Sequence, residues 1–307
     1  MKLIMKNIKY ILLTIILIIF MINIKTVIYS TKEASLIFFN KIFISIFPFV
    51  ILSDILIYYN YHIFLKNTIG RFISKLFNID PNVSIIFLLS ILTSTPNNAV
   101  YIKDMLDNNE IDLQTANKII NYTFFPSISF IIGTIGLSIY NSFNIGLILW
   151  ILIFFYNILI GLFLRKEKSD YTNKLIIKKK DTFFSFLKKS IIKGINTSII
   201  ILGNLIIFSI IINILNKYLN VNNVLFSFIS GLLEITSGVI NINNLNISLN
   251  DKIIFTFLIL SFSSISILFQ AKSILSEYKI NIKRTLIIKL VFSTIILNGL
   301  WIILHFS

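Results

Sequence analysis

The chain has no cysteine, two histidines and four prolines among its 307 residues. Without cysteine there is no disulfide, no thiol nucleophile and no thiolate-held metal. His62 and His305 stand alone near the ends of apolar segments, so a histidine-rich metal site is excluded as well. Acidic residues are scarce, 13 against 28 basic ones, for a net charge of +15. No His-Glu-x-x-His run, no Gly-x-Asp pair and no exposed pair of catalytic carboxylates occurs. No enzyme, cofactor or metal is therefore expected. Asp104, Asp107, Glu110 and Asp112 read as a solvated linker ahead of a helix that starts near Leu113.

What the chain has is hydrocarbon. Hydrophobic residues make up 56% of it, against about 45–50% in a soluble domain, and they come in long uncharged runs. The fold class read from this is all-α, a polytopic helical membrane protein. The basic residues cluster at the ends of the apolar runs and form no aromatic-interleaved patch. They are read as topology determinants and as contacts with membrane lipids, with no nucleic acid partner. The apolar stretch 10–22 is followed by Asn23-Ile24-Lys25-Thr26-Val27, which offers no clear small-residue cleavage site. It is read as an uncleaved first helix.

A full span takes about 20 apolar residues. Spans are expected near 8–28, 34–58, 119–139, 145–164, 190–216, 252–270 and 285–305. Two further apolar stretches, 83–100 and 224–242, are interrupted by polar residues. The segment 165–189 holds nine lysines and arginines and marks the cytoplasmic side. Counting back from it places both flanks of 83–100 inside; counting forward places both flanks of 224–242 outside. Each is then a re-entrant helical hairpin. The order becomes an extra N-terminal helix (8–28), repeat one (34–164), the basic loop and repeat two (190–305), an inverted-topology repeat in one membrane domain. The N-terminus is cytoplasmic and the C-terminus outside. Ten helical residues rise about 15 Å, half of a hydrocarbon core of about 30 Å. That depth falls at Thr93 and at Glu234, so both polar tips are expected at the bilayer midplane.

Solute-binding candidates follow from depth. At the first tip are Thr93, Ser94, Thr95, Asn97 and Asn98, with Pro96 breaking the helix. At the second are Glu234, an acid where burial is costly, then Thr236, Ser237 and a turn at Gly238. Span 119–139 adds Asn121, Thr123 and a kink at Pro126. Its Gly133 and Gly136 permit close helix approach. Span 252–270 carries a polar stripe that includes Ser261, Ser263, Ser264, Ser266 and Gln270. Pro48 is a further helix-break candidate. Lys41, Lys193 and Lys289 lie near span ends, where each can snorkel, and Asp54 is read as interfacial.

These residues resemble a known family, the YlbJ-type sporulation integral membrane proteins with nucleoside recognition Gate domains. Gly231-Leu232-Leu233-Glu234-Ile235-Thr236-Ser237-Gly238 is similar to its Gly-Leu-Leu-Glu-x-Thr-x-Gly motif. Ser261-Phe262-Ser263-Ser264-Ile265-Ser266, trailed by Gln270, resembles Ser-Phe-Gly-Gly-x-Ser. Thr93-Ser94-Thr95-Pro96-Asn97-Asn98-Ala99 resembles Ser-Gly-Tyr-Pro-x-Gly-Ala, and the stretch 47–56 resembles an early proline-containing span. Departures are Ser94, Asn98, Ser263 and Ser264 where the family has glycine, and Phe124 and Phe125 where it has small polar residues. The resemblance implies a role in spore formation and a transporter-like fold that moves or senses a small polar solute. A non-transporting scaffold for the spore envelope is the alternative, and a homo-oligomer is compatible with either.

Overall fold

The computed structural model describes residues 2–93, 95, 97–172, 182–219 and 222–306. Among these the chain is helical almost throughout and forms no strand; one isolated bridge pairs Ile111 with Tyr171. Four helical stretches are long and apolar enough to cross a membrane: Ile24–Leu56, Phe143–Lys166, Phe183–Tyr218 and Leu249–Ile274. A fifth would be Ile63–Phe77 taken with Pro81–Leu92, which meet at 103°. Large apolar side chains cover the outside, from Leu17 and Met21 near the N-terminus to Phe155, Phe163, Ile199 and Ile287. The interior holds buried serines, threonines and asparagines. A soluble monomer rarely exposes apolar area on that scale; the distribution fits a multi-pass membrane protein.

Helix α1 (Lys2–Ile22) ends at Asn23, and α2 (Ile24–Ile37) continues through a π-helical turn (Phe38–Phe43) into α3 (Ile44–Tyr58). The expected boundary between residues 28 and 34 is therefore displaced to Asn23. The hydroxyls of Ser30, Thr31 and Ser35 bond back to carbonyls four residues earlier at 2.7–2.8 Å, so the polar run stays helical. Pro48 lies inside α3 without breaking it. Short helices α4 (Tyr61–Leu65) and α5 (Arg71–Phe77) lead to α6 (Pro81–Leu92). Asp80 caps α6 by accepting the Asn82 amide at 2.7 Å, and Pro81 takes the first helical position.

Two broken helix pairs follow. The first is α6 and α7 (Asn97–Asp107), broken where Thr93 turns extended. The second is α8 (Leu113–Thr123) and a π-helix (Ser129–Ile139), broken over Phe124–Ile128. The span expected at 119–139 is thus two helices, because Pro126 donates no amide and disfavours helix at Phe125. Helix α9 (Phe143–Phe163) closes the half.

The second half also runs long helix, broken pair, broken pair and closing helix, without counterparts of α4 and α5. Long helix α10 (Phe183–Tyr218) precedes a pair, α11 (Asn223–Leu233) and α12 (Ile235–Asn243), broken at Glu234. A second pair, α13 (Leu249–Phe262) and α14 (Ile265–Ile274), is broken at Ser263–Ser264, and α15 (Ile282–Phe306) follows. The span expected at 252–270 is therefore also divided. Both serines have positive φ, 64° and 36°, where glycine is the default residue.

Candidate functional site

Residues at or close to all four breaks line one cavity. At the first, the Thr93 hydroxyl lies 2.9 Å from the Leu89 carbonyl and 3.1 Å from Asn98 Oδ1. Asn98 in turn donates its Nδ2 to the Thr123 carbonyl, 2.8 Å away, at the end of α8. Asn97 accepts from the Thr197 hydroxyl of α10 at 3.4 Å, while its Nδ2 has no partner. Ser94 and Pro96, also expected at this tip, lie outside the described residues.

At the third break Glu234 is both the end of α11 and the cap of α12. With φ −147° and ψ 124° it leaves the helix, and its carboxylate accepts the amides of Thr236 at 3.0 Å and Ser237 at 2.7 Å. The positive end of α12 therefore faces the negative charge, which reduces what burying it costs. The chain folds back here: a Cβ placed on Gly238 would run into the backbone of Gly231. Gly238 is thus a point of helix contact inside α12, and the turn itself is at Glu234.

Thr95 from the first break and Glu234 and Thr236 from the third line one cavity of about 50 Å³. Phe125 and Pro126 of the second break and Ser266 and Gln270 beyond the fourth also line it, and isoleucines such as Ile42 and Ile201 form much of the rest. The Thr95 hydroxyl and the Gln270 carbonyl oxygen have no hydrogen-bond partner. A water needs about 10–15 Å³ of such space, so the cavity has room for a few waters and none for a ring-sized solute. Ser237 points elsewhere, 3.4 Å from Ser209 of α10. Asn121 and Thr123 are buried in α8 and bond back to its own carbonyls, leaving Asn121 Oδ1 unpaired.

A wider groove of about 720 Å³ lies on the side from which the basic segment leaves. Asp54, Tyr101, Asp104, Glu110 and Lys193 are among its walls. Asp54 is buried and paired with Lys193 at 2.8 Å, and Lys193 also sits 5.1 Å from the centre of the Tyr101 ring. Asp54, read as interfacial, is buried against α10 at the edge of this groove. Asp104 and Glu110, expected in a solvated linker, border the groove. Lys41 reaches the Ser138 carbonyl at 3.0 Å.

Sequence reasoning missed Lys289. It is fully buried, donating to the Phe124 carbonyl and, at 2.5 Å, to the Ser263 hydroxyl. The signal was present: a lysine about two turns into an apolar helix faces the interior when small polar residues share its side of that helix, as Ser293 does here.

No family model, curated protein or solved structure matches the chain.

Proposed function

We propose that the chain is a transporter-like protein of the cell membrane, of the YlbJ-type sporulation kind, which moves or senses a small polar solute. Its two halves are inverted repeats, and the pairs α6–α7 and α11–α12 are re-entrant hairpins that enter from opposite membrane faces. The N-terminus is cytoplasmic and the C-terminus outside. The observation that carries the reading is one cavity shared by Thr95, Glu234, Thr236, Ser266 and Gln270. Paired broken helices with polar tips are the form in which non-helical backbone persists at membrane depth. The repeated order of long helix, broken pair, broken pair and closing helix supports it.

The solute enters through the groove at Asp54 and Lys193, whose volume falls in the range of small-molecule sites. The central cavity is then the closed point of the path, and alternating access opens it by moving one pair against the other. Phe125 and Phe130 in its wall favour a second reading, in which the path is plugged and the protein is a scaffold for the spore envelope.

Glu234→Gln and Asn97→Ala in a spore-forming host separate the two. Transport or sensing through the tips predicts a loss of heat-resistant spores at unchanged protein level. Normal heat-resistant spores from both variants would overturn the assignment of the site.

A further inference from the structure

Lys289 is buried in α15, and among the described residues packed around it no carboxylate reaches it. Helix α15 packs on α8, α9 and α13, and neither α8 nor α9 contains an aspartate or glutamate. Asp251 of α13 lies in that helix's first turn beside Ser248, while Lys252 reaches the Asn243 carbonyl. Lys118 of α8 is taken up by the carbonyls of Asn78 and Glu167. Tyr122 of α8 packs on Phe77 and Phe87. Tyr156 of α9 gives its hydroxyl to the Lys289 carbonyl at 2.8 Å rather than to the amino group. On α15 itself Arg284 pairs with Glu167, and Lys283 lies in the first turn.

The two groups that Lys289 does hold are at helix ends. Phe124 follows the last residue of α8, and Ser263 follows the last residue of α13. The Ser263 hydroxyl also donates to the Phe124 carbonyl at 3.0 Å. The amino group therefore sits where the negative ends of two broken helices meet, an arrangement suited to a cation. Each acceptor is one to three residues from a wall of the central cavity: Phe125 and Pro126 on one side, Ser266 on the other. A change at Lys289 is transmitted to the cavity through those few residues.

We propose that Lys289 is the proton-coupling site of this protein, a tethered cation that locks the α8 and α13 breaks together. This rests on the transporter reading and names its coupling ion. With the ammonium present, two charge-assisted bonds and the attraction of two helix ends hold the breaks closed. When Lys289 gives its proton to water it becomes a neutral amine. The two bonds fall to ordinary strength, about half as strong, and the helix-end attraction is lost. The breaks part and the cavity opens. Taking a proton back closes it, one proton per cycle.

The natural absence of cysteine gives a clean test. Ser266→Cys is introduced into the full-length protein in membrane vesicles, and its reaction with a small maleimide is followed from pH 6 to 9. Each rate is divided by that of the denatured chain at the same pH, which removes the ionisation of a solvated thiol; the pH dependence left in Lys289→Gln is that of the thiol in the cavity. The expected result is a normalised rate that rises with pH, approaching about tenfold per pH unit for a single linked proton. Lys289→Arg, which keeps its charge, flattens the profile at the low rate. Lys289→Gln flattens it at the high rate, apart from that dependence. A flat profile in the parent, or an unchanged slope in both variants, would overturn the proposal. The transporter reading fails separately: if the thiol introduced at position 266 reacts from one membrane face only at every pH, access does not alternate, whatever the slope.

Discussion

Glu234 shows what one side chain does at a helix break. Its carboxylate accepts two amides that α12 would otherwise leave unpaired. Glu234→Ala removes both bonds and should lower stability by about 1–2 kcal/mol, the range for a lost cap, whereas Glu234→Gln keeps an acceptor and costs less. Thermal unfolding in detergent measures the difference. Asp54 and Lys193 make an asymmetric pair, since the carboxylate is buried and a third of the lysine side chain is exposed. Lys193→Met strands a buried charge and should cost about 3 kcal/mol. Asp54→Asn leaves a lysine that can turn to solvent and should cost clearly less. Equal losses in denaturant titrations would contradict the buried placement of Asp54. Ser264 holds φ at 36°; Ser264→Gly relieves that strain and should stabilise by up to about 1 kcal/mol, because glycine caps a helix nearly as well as serine.

At the scale of elements the determinants are breaks and close approaches. A Cβ on Gly136 would stand 2.7 Å from Gly146 Cα, backbone against backbone, where the π-helix meets α9. Gly136→Ala should therefore destabilise by about 1–3 kcal/mol, read as a lower melting temperature. Gly203→Ala, at a position where an added Cβ meets nothing within 4 Å, is the matched control and should not destabilise. The Gly133 and Gly136 pair was legible in the sequence because small residues at helical spacing inside hydrocarbon have few other uses. The breaks at Thr93–Thr95 and Glu234 were legible because polar residues interrupt apolar runs. The break at Ser263–Ser264 was not, since serines are tolerated inside helices and nothing in their identity reports a positive φ. The run Ser30–Ser35 misled in the opposite direction. Its hydroxyls satisfy their own helix, and Ser30 meets Asn213 of α10 at 2.9 Å, so polarity there marks packing and not a boundary. Lys289 was hidden for a related reason: its distance from a helix end permits snorkelling, and only the packing of α8, α9 and α13 around it closes that route.

At the scale of the whole molecule, the two halves are joined by contacts both buried and at the surface. Tyr140 meets Thr256 at 2.7 Å, Asn243 reaches the Ile139 carbonyl at 3.1 Å, and Lys103 pairs with Glu277 at 2.8 Å. The helical class and the presence of long apolar segments were readable from hydrocarbon content and run length, which decide both. Orientation was read from cations in the connections, and part of the strongest of these, residues 173–181, falls outside the described residues. The central claim is that the two broken pairs α6–α7 and α11–α12 enter the membrane from opposite faces and do not cross it. Lys75→Cys and Gln114→Cys, each alone, flank the first pair; Asn223→Cys and Asn246→Cys flank the second. Intact cells are treated with a membrane-impermeant thiol reagent before and after permeabilisation. The thiols at 223 and 246 should react from outside, and those at 75 and 114 only once the membrane is opened. Flanks of either pair reacting from opposite faces would mean that the pair crosses the bilayer, which contradicts the claim.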